Sequence, residues 1–246
     1  MNNIFVVLCL LVTLATVASA SSDKTEQYMR KLRSDDPNAQ YDAVAYFEHW
    51  ASEKNRSLPA DLKRSDIEAY LESWGGNSDK AALLLGRIGH RESISLLKEK
   101  KAEAEQITRK ADVMDDRTDL APKVRLACLK ALLRLKDNEA RKEVVSLLAS
   151  TDVESHVKGI ECVAYGNDET LIPNLLPLLD DGRDAVNIAP SGASYFIRVC
   201  DLAADVLRNY YHIELESQKS TRYSDRDLEV LQKRGLRKGS RKGSVL

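Results

Sequence analysis

Between Pro122 and Leu135 the chain reads PKVRLACLKALLRL, and its apolar residues fall where one face of a helix needs them. Val124, Ala127, Cys128, Ala131 and Leu135 stand at i, i+3, i+4, i+7 and i+11. Leu126, Leu129 and Leu133 fill the neighbouring stripe. Pro122 suits the first turn, where a missing N–H costs no intrahelical bond. A short break, KDNEA, precedes a second helix, RKEVVSLLAS. Asp152 is placed to cap a third, VESHVKGIECVAY. GNDET then interrupts before LIPNLLPLLDD. Pro173 fits the first turn of that fourth helix, whereas Pro177 predicts a kink or an early stop. Near the start, YMRKLRSDDPNAQYDAVAYFEHW reads the same way: helix, Asp/Pro turn, helix.

The breaks GHRES (Gly89), KDNEA (Lys136) and GNDET (Gly166) share position and character, and each precedes a segment with a Leu-Leu pair. Such recurrence predicts a repeated helix-pair unit with unequal insertions. The charged stretch KKAEAEQITRKADVMDDRTD supplies the extra length of the first interval, and its start extends a helix. A single helix pair cannot bury both of its apolar faces, so neighbouring pairs are expected to stack into an elongated array.

KVRLACLKALLRLKDNEARKEVVSLLAS and IRVCDLAADVL resemble HEAT repeats, in particular the short bacterial type similar to bilin-lyase-like HEAT repeats. The matching features are Val124-Arg125 and Ile197-Arg198, the weaker Val157-Lys158, and aspartates at the turns, with Asp36, Asp152, Asp180 and Asp181 as candidates. The resemblance covers about residues 25–211 and makes Arg125, Asp152 and Arg198 structural repeat positions. It implies an all-α fold, a right-handed α-solenoid with a concave surface that binds other macromolecules. Low aromatic content, 6%, and 11 glycines also disfavour a sandwich or barrel.

Composition adds an address and a tail. MNNIFVVLCLLVTLATVASA carries no charged side chain and ends in a small-x-small Ala18-Ser19-Ala20, so residues 1–20 read as a signal peptide. The protein is then exported, periplasmic or secreted, with no transmembrane segment after cleavage. The alternative is an uncleaved membrane anchor. Asn55-Arg56-Ser57 is a glycosylation sequon, relevant only in a eukaryotic secretory pathway. Residues 21–213 read as the solenoid, and residues 214–246 as a short helix capped by Ser224 plus a disordered basic tail. From Lys233 on there are six basic residues and no acid; removing those six from 37 leaves 31 bases against 38 acids. The tail, with Lys238 and Arg241, is a candidate for anionic surfaces. No aromatics interleave with its basic residues, which gives no support for nucleic-acid recognition.

Signals for chemistry are sparse. The four histidines form no HExxH and no i, i+4 pair, no phosphate-cradling glycine loop is present, and Phe196 stands where a GxSxG elbow needs its second glycine. Neither metal nor cofactor is expected. Cys128, Cys162 and Cys200 sit amid apolar helical residues and read as buried free thiols. SGASYFIRVCDLAADVL (191–207) gathers serines, a tyrosine, a cysteine and aspartates. From about Tyr195 it reads as a helix. Val199, Leu202, Ala203, Val206 and Tyr210 form one apolar row, and Phe196, Cys200, Ala204, Leu207 and Tyr211 a second. Arg198, Asp201, Asp205 and Arg208 make a polar stripe in which i, i+3 pairs can form. Cys200 and Asp201 therefore point apart, which disfavours a catalytic pair. The long insertion before it, 181–195, is the candidate partner-binding segment, with Asn187, Ile188, Pro190 and Ser191 as its contacts. The expected function is a non-catalytic protein-interaction or scaffold module with an unknown protein partner. The alternatives are a ligand-binding or lyase-like accessory factor using that insertion, or an anionic-surface binder using the tail.

Overall fold

In a computed structural model of the chain, residues 23–53, 58–110, 117–188, 195–215 and 222–242 are described. The signal segment 1–20, the sequon at 55–57, and Pro190 and Ser191 lie outside them. So do the side chains of Asn187, Ile188, Lys238 and Arg241.

Aspartates cap several of the helices, Asp36 and Asp152 where the turn pattern places them and Asp137 besides, whereas Asp180 and Asp181 lie at the end of a 3₁₀ helix, Glu169–Asp180. Asp36 accepts from the Asn38 amide (2.9 Å) at the start of α2, Pro37–Ser52. Asp137 accepts from the Glu139 and Ala140 amides at the start of α7, Asn138–Leu148. Asp152 accepts from the Ser155 amide (2.8 Å) at the start of α8, Val153–Gly166. Each carboxylate satisfies N–H groups that have no partner within their own helix. The three expected breaks are left-handed turns: Gly89 has φ +82, Lys136 +63 and Asn167 +49. In the third, the left-handed residue is Asn167 because Gly166 still belongs to α8, where a Cβ would stand 2.5 Å from Leu133 Cδ2.

The chain divides into two compact units, Met1–Cys128 and Leu129–Leu246, the boundary falling inside α6, Ala121–Arg134. The first holds helical residues 23–32 (α1), then α2, α3 (Arg64–Glu72), α4 (Ser78–Ile88), a single 3₁₀ turn, and α5 (Ile94–Arg109). α4 packs on both α2 and α3. Phe47, Ile67, Leu71, Leu84 and Leu85 are fully buried there. Arg33 pairs with Asp66 (2.8 Å), and Arg125 pairs with Glu105 of α5 (3.0 Å).

The second unit is built from α7, α8, a 3₁₀ helix over Glu169–Asp180, a small hairpin, α9 (Val199–Tyr211) and α10 (Asp225–Lys242). α8 packs on α7 and α9, and the 3₁₀ helix packs on α7, α8, α9 and α10. The expected fourth α-helix is thus a 3₁₀ helix. Pro173 and Pro177 both lie inside it and withhold N–H donors. The row Ile172, Leu175, Leu178 has the three-residue period of a 3₁₀ helix and is buried.

Two further expectations are corrected. Tyr195–Arg198 is not helical: it forms β2, antiparallel to β1, Asp184–Ile188, with Asn187 opposite Phe196 and Ile188 opposite Tyr195. Among the described residues the fold is mostly helical, with this one hairpin. α9 starts only at Val199, whose amide donates to Arg183 O (3.0 Å), while the Cys200 amide donates to Asp181 O (2.9 Å). At the other end, α10 runs on to Lys242 where a short helix and irregular tail were expected. Its anchorage explains the extension: Ser224 caps it by accepting from the Asp227 amide, Leu231 is fully buried, and Gly235 lies against Leu176.

Candidate functional site

Asp201, a member of the polar stripe of α9, is buried. It occupies the third helical position and accepts from the Arg198 backbone amide (3.2 Å), which satisfies one orphan N–H at the helix start. The Arg198 guanidinium forks onto the same carboxylate at 2.9 Å through Nε and Nη2. The Tyr223 amide donates to it as well (3.0 Å). Burial raises the Asp201 carboxyl, but Arg198 and the two amides outweigh it and hold it below the ordinary carboxylate value. The Tyr223 hydroxyl donates to Asp205 (2.6 Å), and burial with that carboxylate pushes the phenol up. This network fastens residues 222–224 to α9. Arg198 also donates to the Tyr223 carbonyl oxygen (3.0 Å) and is thereby one of the fastening residues.

His156 is a buried polar group with both ring nitrogens engaged. Nδ1 meets Asp181 Oδ2 at 3.0 Å, and Nε2 meets the Ser150 carbonyl oxygen. Arg183 forks onto Asp181 and donates to Thr151 O (2.7 Å). The cluster joins the α7–α8 turn to the end of the 3₁₀ helix. With no ring nitrogen left open, it serves as a clasp and leaves no base facing a substrate. The Arg183 hydrogen bonds hold Asp181 down at about 2. A carboxyl lowered in the folded state adds stability above its unfolded value, near 4, and loses it as pH falls towards 2. The fall is expected to be about 1 kcal/mol, since Arg183 is half exposed and solvent screens the pair. Urea midpoints compared at about pH 5 and pH 2.5 check this: Arg183→Gln should flatten the difference, and an unchanged difference contradicts it.

Cys128, Cys162 and Cys200 are buried thiols outside any disulfide. Burial pushes the Cys128 thiol up to about 12. Burial and then the Asp201 charge raise Cys200. A thiol so raised is a poor nucleophile at neutral pH. His49, His90 and His212 are exposed. Among the described residues no group of three or more His, Cys, Asp or Glu has a metal-binding arrangement. Nor is any described helix long and apolar enough to cross a membrane.

A groove of about 450 Å³ stays open between α8 and α9. Its apolar floor includes Val157 of α8 and Leu202, Val206 and Tyr210 of α9, all half-buried, with Val186 of β1 at its edge. The first apolar row of α9 therefore splits. Val199 and Ala203 are buried, while Leu202, Val206 and Tyr210 face the groove. Four carboxylates line it: Glu161, Asp168, Glu169 and Asp205. Lys130 holds Glu161 at 2.7 Å, Arg141 holds Asp168 at 2.9 Å, and Arg208 holds Asp205 at 3.4 Å. Glu169 accepts the Tyr210 hydroxyl (3.0 Å). Burial and that carboxylate raise the Tyr210 phenol. For Asp168, burial pushes upward, but the Thr170 hydroxyl and amide, with Lys136 and Arg141, leave it lowered.

The 181–195 insertion meets this groove through Val186, whereas Asn187 and Ile188 are the backbone positions that pair with β2. The groove residues were missed because the pattern that reveals them, two full apolar rows on α9, is also the pattern of a helix buried all round. No protein-family model matches the chain, and no curated protein or solved structure matches it.

Proposed function

We propose that this protein is an exported, non-catalytic interaction module whose helices stack as HEAT-like pairs and whose partner docks on the α8–α9 groove. The groove itself carries the reading: half-buried apolar side chains of two adjacent helices stay open, while the nearby charged groups are tied into internal pairs. Exposed apolar surface rimmed by polar residues is the usual signature of a docking site. The packing of α8 on α7 and α9, and of the 3₁₀ helix on α7 and α10, supports a stacked-pair arrangement. A second reading, a ligand-binding accessory factor, draws on the groove volume, which falls in the range of small-molecule sites.

The test uses the double variant Leu202→Asn/Val206→Asn. Both residues are half-buried, so the fold should survive, as circular dichroism will check. The variant should retain its native partner at least about ten-fold less in a crosslinking pull-down. Undiminished retention by a folded variant refutes the docking site.

A further inference from the structure

The charge around the groove narrows its occupant. We infer that the α8–α9 groove takes a basic amphipathic helix of a partner protein, an inference that rests on the docking role proposed above. Every charged residue lining the groove is an acid. Three of the four already have a cation, Lys130, Arg141 or Arg208, approaching them. Glu169 instead has the neutral Tyr210 hydroxyl, so a guest cation gains most there. No lining residue carries a positive charge, so an acidic peptide, a nucleic acid or an anionic headgroup finds no counter-charge in the lining itself.

The shape fits a helix. α8 spans 14 residues, roughly 20 Å of helix at 1.5 Å per residue. Two side-by-side helices leave between them a trough that a third enters with apolar residues at i, i+3, i+4 and i+7. Leu202, Val206 and Tyr210, at i, i+4 and i+8 of α9, form one continuous wall for such anchors. The chain's own basic helix α10 is committed elsewhere in the unit, with Leu231 buried and Gly235 against Leu176.

The experiment measures binding of two fluorescent peptides to the full-length chain by anisotropy. Both have about 15 residues with leucines at helical anchor spacing. One carries lysines at its flanking positions, and the other carries glutamates there. The lysine peptide should bind, and more weakly as salt rises. The glutamate peptide should bind at least about ten-fold more weakly. Glu161→Gln/Glu169→Gln should weaken the lysine peptide about five- to ten-fold and flatten its salt dependence. Leu202→Asn/Val206→Asn should weaken it about ten-fold or more.

Equal binding of the two peptides, or a lysine peptide indifferent to the glutamate substitutions, overturns the basic-helix inference and leaves the docking role standing. So does a failure of both peptides to bind while the native partner still depends on Leu202 and Val206. If neither the peptides nor the native partner depends on those two residues, the docking role falls with it.

Discussion

Asp201→Ala lowers the stability of the protein by about 3–4 kcal/mol, the cost of stranding the partners of a buried charge. The side chain is only 2% exposed and accepts from four donors: two on the Arg198 guanidinium and the amides of Arg198 and Tyr223. Alanine removes every acceptor at once. It leaves a partly buried guanidinium without its counter-charge and an N-terminal helical amide without its cap. The loss should appear in urea unfolding as a lower midpoint with little change in slope. Asp201→Asn, which keeps one acceptor oxygen of similar size, should recover part of it. A loss below about 1 kcal/mol, the scale of a surface pair, would return Asp201 to the exposed stripe that its spacing suggests.

Leu175→Ala is expected to cost about 2–5 kcal/mol, the range for a large apolar residue truncated in a packed interior. Leu175 is fully buried at the middle of the 3₁₀ helix. That helix has poorer hydrogen-bond geometry than an α-helix and contains two prolines, so side-chain packing has to hold it. The neighbouring Asn174→Ala should change stability by less than about 0.5 kcal/mol. Equal, small effects at both positions would mean that the segment rides on the surface.

Helix positions were legible wherever one residue type has one structural consequence. Asp36 and Asp152 cap because their carboxylates reach amides two or three residues on. Gly89 ends α4 because it enters the left-handed region without strain. The buried stripe Val124, Ala127, Cys128, Ala131 and Leu135 was legible for the same reason, through its period. The hairpin was not, since Tyr195–Arg198 continues the apolar row of α9 in register. Its strand pairing depends on residues 184–188, which the local pattern does not connect to it. Asp201 was misplaced because burial there is imposed by Tyr223, 22 residues away. The site was the least legible part. Whether Leu202 and Val206 meet a neighbouring helix or open space is decided by how α8 sits beside α9. The four carboxylates of the groove come from both of those helices and from the turn and 3₁₀ start between them.

The central claim is that a partner seats between α8 and α9. A photo-crosslinking amino acid placed at Leu202 tests it most directly, with a second placed at Lys142, exposed on α7 and outside the groove, as the reference. After irradiation in the native extract, the Leu202 probe should yield a discrete adduct whose crosslinked peptide is basic and amphipathic, and the Lys142 probe should not. Adducts at Lys142 with none at Leu202, or equal labelling at both, would contradict the account.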